Sequence, residues 1–214
     1  MGGIGYAPHS HSIPMPNIFD PQQQSDNPAS KLLFAFDRIA EVIRVQLWEK
    51  ATSLKLTPLQ IKALLFLEGH QKDGLNNVSA LAKEFQLSKP TISETIRLLL
   101  KKSLVIKVKD PADGRAYYLE LSAAGQRIVN EASTFSQPIL SELNQLEAGQ
   151  QAGLYEHLLD LLLRFQQRGL IPTQRMCSNC RHFIRHKGFP YCSLLALQLE
   201  TADLRVNCPE FEQT

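Results

Sequence analysis

No cysteine occurs between Met1 and Met176; all four stand between Cys177 and Cys208. A disulfide framework is thereby excluded for most of the chain. Long hydrophobic runs are missing as well. The longest, such as "LLFAF", fall far short of the roughly 20 residues a bilayer requires. The opening stretch, "MGGIGYAPHSHSIPMP", has neither a basic start nor a sustained apolar segment, so no export signal or membrane partner is expected. Charge of one sign is not in excess: 23 Lys and Arg face 21 Asp and Glu, a net +2 that names no partner. Nor is there a glycine-rich phosphate loop, a placeable Ser/His/Asp set or a pair of acids in a cleft. An enzyme is therefore not expected. Without an export signal the default compartment is the cytoplasm. Clustered cysteines there read as metal ligands or redox groups before they read as disulfides.

What is present divides into three parts. At 214 residues and 43% hydrophobic, the chain suits one large domain with an appendage. Residues 1–30 are rich in Pro, Gln, Ser, Asn and Gly without a period and read as a flexible tail. From Lys31, Leu32, Phe36, Ile39, Ile43 and Leu47 recur at helical spacing. "LTPLQIKALLFL" opens with Thr57 as cap, Pro58 in the first turn and Gln60 closing a capping box, and should end near Gly69. "HQKDGLNN" then reads as a polar turn.

Two short helices follow. "VSALAKEF" should turn Leu81, Ala82 and Phe85 inward, and Ser88 should cap "KPTISETIRLLLKK". So tight a pair, with a basic second helix, points to a helix-turn-helix. "LVIKVKDPADGRAYYLEL" then reads as a hairpin. Leu104, Ile106 and Val108 alternate with Lys107 and Lys109; Tyr117, Leu119 and Leu121 alternate on the return. Two helices and a hairpin with a basic edge are the winged-helix order. The expected class is mainly α with a small β-hairpin wing. Charge agrees: residues 78–127 hold nine basic and five acidic side chains, a net +4.

Further on, Ile128, Ala132, Phe135, Ile139, Leu143 and Leu146 form one stripe, with a kink expected at Pro138. Leu154, Leu158, Leu161, Leu162 and Phe165 form another. Apolar helices flanking a small domain at both ends of its sequence suit a subunit interface.

Over Lys31 to Arg168 the chain resembles the MarR family of winged-helix transcriptional regulators. "LTPLQIKALLFL", "VSALAKEFQLSKPTISETIRLLLKKSLVIK" and "DPADGRAYYLELSAAG" carry the resemblance. The last looks like the family's wing signature, in the positions Asp113, Arg115, Leu121, Ser122 and Gly125. One departure is Ser103, where the family usually has glycine. The resemblance implies a homodimer built from the first and last helices, with two winged-helix lobes on pseudo-palindromic duplex DNA; the sequence names no small-molecule effector. On this reading residues 31–170 are the DNA-binding and dimerisation domain.

A recognition helix needs donors and acceptors near its N-terminal half, where it enters the major groove. Ser88, Lys89, Thr91, Ser93 and Arg97 supply them, although helical hydroxyls also satisfy local carbonyls. Lys107 and Lys109 lie on the wing's basic edge. Arg115 at the wing tip is expected in a narrow minor groove, with Asp113 holding its guanidinium extended.

Residues 171–214 form a separate cysteine-rich segment. Cys177 and Cys180 make one knuckle, and Cys192 and Cys208 complete a set of four thiolates suited to structural zinc. An iron–sulfur cluster uses the same donors and would make the site a redox switch of DNA affinity. Free or redox-paired thiols are the third option. His182 or His186 could replace one ligand. Too short to bury much core, the segment is expected to fold around its metal.

Overall fold

The computed structural model describes residues 17, 19–21, 27–71, 73–109, 117–186 and 188–213. Most of the expected tail lies outside the described residues, and so does the wing tip with Asp113 and Arg115. The chain divides into two compact units, Met1–Gln46 and Leu47–Thr214. Helix α1 (Pro28–Ser53) begins in the first and ends in the second, opening three residues ahead of the expected boundary. In the first unit the α1 side chains Leu32, Ile39 and Ile43 are exposed, as are Leu33 and Val42. Among the described residues, these members of the expected apolar stripe face solvent, while Phe36 is half-buried.

The second unit is built on α2 (Pro58–Gly69), α3 (Val78–Glu84) and α4 (Lys89–Lys101). Local chemistry sets their starts. Thr57 Oγ1 accepts from the Gln60 N–H at 3.2 Å while Gln60 Oε1 accepts from the Thr57 N–H at 3.0 Å, the capping box read from sequence. Asn77 caps α3 through the Ala80 N–H, and Ser88 caps α4 through the Thr91 N–H. Ala63, Leu64 and Leu67 of α2 meet Leu81 and Ala82 of α3 and Ile92, Ile96 and Leu99 of α4 in one core. A side chain so sealed contributes about 1.5–3 kcal/mol relative to exposure, which makes this cluster the energetic centre of the lobe.

The wing strands β1 (Val105–Lys109) and β2 (Tyr117–Leu121) pair antiparallel, with Val105 opposite Leu121 and Lys109 opposite Tyr117. Here the expected alternation shifts. Val105 is 1% exposed and Ile106 is 45% exposed, so Val105 is the inward residue. Helix α4 ends in a left-handed turn at Ser103, φ 57°, that drives Leu104 and Val105 in succession against the core. The Leu104 N–H reaches the Leu99 carbonyl and the Ser103 N–H reaches that of Leu100, the paired bonds of a Schellman end.

Helix α5 (Ala123–Ala132) is capped by Ser122, whose hydroxyl accepts from the Gly125 N–H and donates to the Ser103 carbonyl at 2.6 Å. A Cβ on Gly125 would run into the Leu104 carbonyl oxygen. The "LSAAG" stretch is thus the closure between strand β2 and the end of α4. A 3-10 turn over Ser133–Ser136 breaks the helix just before Pro138, and α6 (Gln137–Leu143) and α7 (Ala148–Gln167) complete the helical part. Pro138 has no N–H to continue the ladder, so the kink sits where the sequence put it. No residue of α6 or α7 is buried; Leu140, Leu143, Leu154 and Phe165 are exposed.

Residues 171–213 add a small antiparallel sheet in the order β3 (Phe183–His186), β4 (Phe189–Cys192), β5 (Leu197–Gln198). Tyr155 of α7 donates to the Leu204 carbonyl at 2.7 Å, and Gln166 exchanges hydrogen bonds with Asn179. No helix of the described residues is long and apolar enough to cross a membrane.

Candidate functional site

Helix α4 is split cleanly into two faces. Ile92, Thr95, Ile96 and Leu99 are buried against the lobe. Ser88, Lys89, Thr91, Ser93 and Arg97 are all exposed, so every position expected to contact DNA lies on the solvent side. Their partners differ. The Ser88 and Thr91 hydroxyls lie 2.8 Å apart at the helix start. Arg97 donates to both Glu94 carboxylate oxygens at 2.6 and 2.7 Å, which holds Glu94 below and Arg97 above its ordinary pKa. Glu94 is exposed and paired with Arg97. Lys89, exposed at the start of α4, has no ion pair among the described residues.

On the wing, Lys107 and Lys109 are exposed, and the Lys107 ammonium sits 4.2 Å from the centre of the Tyr117 ring. That contact holds a cation on the wing's outer face. Asp113 and Arg115 belong to the undescribed wing tip.

The four cysteines converge. Cys177, Cys180, Cys192 and Cys208 all line one cavity of about 30 Å³, with Phe183, Leu194, Leu195 and Leu199 as its apolar wall. Local bonds place each sulfur. A 3-10 turn over Cys177–Asn179 brings the Cys180 N–H to the Cys177 carbonyl at 3.0 Å. The Arg205 N–H points at the Cys177 sulfur at 3.3 Å. Strand pairing sets Cys192 opposite Phe183. The Cys208 N–H donates to the Arg175 carbonyl at 2.9 Å. Burial pushes the Cys177 thiol up, and the other three sulfurs raise it further against the Arg205 N–H. Among the described residues no group of three or more His, Cys, Asp or Glu side chains is drawn close enough to hold a metal ion as it stands. The set is convergent rather than closed. His182 lines the same cavity, but its Nε2 faces Glu212 at 3.2 Å; His186 stacks against Tyr191 instead.

One polar cluster escaped the sequence reading. The "HQKDGLNN" stretch holds more than a turn: His70 is buried, and its Nδ1 lies 2.6 Å from Asp73 Oδ2. Arg175 reaches the same oxygen at 3.2 Å from the cysteine-rich segment. Burial raises the Asp73 carboxyl's pKa, but the bond to His70, the Leu75 N–H and the charges of His70 and Arg175 outweigh it. The net direction is down. No periodicity marks such a pairing across a hundred residues. The one available signal was His70 and Asp73 three residues apart in a turn otherwise built of Gln, Lys, Gly, Leu and Asn.

Comparison with known proteins matches this arrangement. A model described as MarR family matches residues 54–116, which span α2, α3, α4 and most of the wing. The chain is 28% identical over 121 residues to the uncharacterized HTH-type transcriptional regulator YsmB of Bacillus subtilis (strain 168), covering 56% of this chain and 81% of that relative. Among solved structures, the S. aureus MepR–DNA complex is similar at 26% identity and a TM-score of 0.53, over 61% of this chain and 96% of that one. A substituted MepR gives 26% identity and a TM-score of 0.50, over 62% and 97%. The four cysteines lie outside the matched family segment. On its fold and on this match, residues 54–116 are similar to the MarR family.

Proposed function

We propose that this chain is a homodimeric, sequence-specific DNA-binding transcriptional regulator of the MarR type, not an enzyme, with a structural zinc ion in its C-terminal segment. The observation that carries the DNA reading is the two-faced α4. Its apolar side is sealed in the core while Ser88, Lys89, Thr91, Ser93 and Arg97 share the open side at its N-terminal half. A helix so mounted presents its polar face to the major groove, and the hairpin with Lys107, Lys109 and Arg115 flanks it toward the minor groove. Breaking the Arg97–Glu94 pair frees a guanidinium for phosphate or guanine on contact. The MepR–DNA complex, with the same fold, supports the choice of duplex DNA as ligand.

A second copy supplies cover for the exposed apolar side chains of α1 and, separately, of α6 and α7. Patches of this kind mark interfaces in soluble proteins. For the cysteines, Cys177, Cys180, Cys192 and Cys208 are the ligands, and their role is structural because four protein thiolates leave no open coordination position. The cavity of about 30 Å³ suits one ion better than a multi-atom cluster; a single water needs roughly 10–15 Å³ on the same measure.

Selection of duplexes from a random pool by the full-length protein tests the DNA reading. Enrichment of a pseudo-palindrome with half-site centres about one helical turn apart is expected. No enriched duplex would refute it. Elemental analysis of protein purified anaerobically without chelator tests the metal, with one zinc per chain expected. Iron with visible absorption would replace zinc by a cluster, and neither metal would remove both.

A further inference from the structure

The Arg175 side chain links the cysteine site to the winged-helix lobe. Arg175 stands two residues before Cys177. Nε and Nη2 donate to the Cys208 carbonyl at 3.2 and 2.9 Å, and Nη2 also donates to the Pro209 carbonyl at 3.1 Å. With the Cys208 N–H returned to the Arg175 carbonyl, the backbone of Cys208 is held from both sides. The same Nη2 lies 3.2 Å from Asp73 Oδ2. The two side chains are only 18% and 15% exposed, so this pair is shielded as surface ion pairs are not.

Asp73 passes the connection into the helix-turn-helix. Its Oδ1 accepts the Leu75 N–H at 3.2 Å. The Leu75 carbonyl accepts the N–H of Asn77, and Asn77 is the residue that caps α3. Between them, the Asn76 carbonyl accepts the Leu119 N–H at 2.8 Å, which anchors wing strand β2. His70 braces Asp73, its ring tilted against Phe66 at 4.2 Å and within 3.5 Å of Asn207 on the module side. The seam around these bonds is not close-packed: a cavity of about 330 Å³ opens beside them, between Phe66 and Lys83 of the lobe and Phe211 of the module. Polar bonds span this part of the seam, and polar bonds are lost abruptly when a partner moves.

We propose that Arg175 is a clasp through which ligation of Cys208 regulates DNA binding, by fixing the 73–77 turn from which both α3 and the wing strand β2 are held. This deepens the metal reading above and rests on it. When the metal holds Cys208, its carbonyl holds Arg175, and Arg175 holds Asp73. When the metal leaves, Cys208 is released, the guanidinium loses its fixed acceptors, and the turn loses the charge that orders it. Arg175 is a positioning residue: it touches neither sulfur nor DNA.

The test measures zinc content and duplex affinity on the same full-length samples, before and after chelation. The wild type should lose about ten-fold in affinity on stripping, within the usual range of coupling between sites. Arg175→Gln and Asp73→Asn, which break the clasp from its two sides, should keep one zinc per chain. Both should bind as weakly as stripped wild type and change less than about two-fold when stripped. A zinc-loaded Arg175→Gln that responds to chelation like wild type overturns the proposal; if that variant does not fold, Asp73→Asn decides it. If the wild type holds no metal, the metal reading fails separately, and amide exchange over residues 75–81 judges the clasp alone. Faster exchange in either variant supports it, and unchanged exchange overturns it.

Discussion

The winged-helix lobe and the cysteine-rich segment are ordered by different means. In the lobe, Leu64, Leu67, Leu81, Ile92, Leu99 and Leu119 are almost wholly withdrawn from water. In the segment from residue 171, Met176, Cys180 and Leu199 are the buried apolar residues among those described, while Ile184, Phe189, Leu194, Leu195 and Leu197 remain exposed. One region has a core that stabilises it unaided. The other has a three-stranded sheet of which the longest strands run four residues, too small to offset its own conformational entropy. Four converging sulfurs and a few long-range hydrogen bonds take the place of a core there. That contrast is the physical ground for proposing a structural ion in the segment.

The sharpest way to break the comparison is to damage each region by its own mechanism. Gly125→Ala should cost the lobe about 3 kcal/mol or more, because the added methyl meets the Leu104 carbonyl and not a yielding side chain. Its signature is a lowered melting temperature. Cys180→Ser should do the reverse. The lobe's melting stays near wild type, while residues 175–213 become sensitive to protease, as they should after chelation. A chelator that lowers the lobe's melting as much as Gly125→Ala does would erase the distinction.

A smaller effect concerns the seam. Asp73 has a lowered pKa in the folded chain, so its ionised form stabilises the fold above the ordinary carboxylate pKa. The contribution is complete at neutral pH and is lost as pH falls through the lowered value. Urea midpoints of wild type and Asp73→Asn should therefore differ at pH 7 and converge in acid below the usual carboxylate range. A difference that persists in strong acid would contradict the assignment.

The smallest effect is at Ser103. A non-glycine residue at φ 57° carries backbone strain, and Ser103→Gly removes it while keeping both Schellman bonds. A gain of about 0.5–1 kcal/mol is expected, the cost of left-handed strain less glycine's larger unfolded entropy. An unchanged or lower urea midpoint would mean that the hydroxyl compensates the strain.

The features legible in the sequence are those that short-range physics dictates. Thr57 with Gln60 and Ser88 each mark a helix start within three residues of the bond they make, and the hairpin follows from alternation around "DPADG". Features set by distant chain were not legible. The inward turn of Val105 depends on the left-handed end of α4. The His70–Asp73–Arg175 cluster joins residues a hundred positions apart with no period to announce it. The cysteines stand between these cases. Four thiols in a short stretch signalled a shared site, but only the strand pairing of Cys192 and the Arg175 grip on Cys208 explain how two isolated cysteines reach the Cys177–Cys180 turn. The exposed stripe on α1 was legible as a pattern while its cover was not, because that cover is proposed to be a second chain.

The central claim is that the open face of α4 reads duplex DNA, and Lys89 tests it most directly. Fluorescence anisotropy of the selected duplex, titrated with wild type and Lys89→Ala across a salt series, gives affinity and salt slope together. Removing one phosphate-neutralising charge should weaken binding at every sequence and make the slope of log affinity against log salt shallower by about one. Equal affinity and an equal slope for the two proteins would contradict the claim.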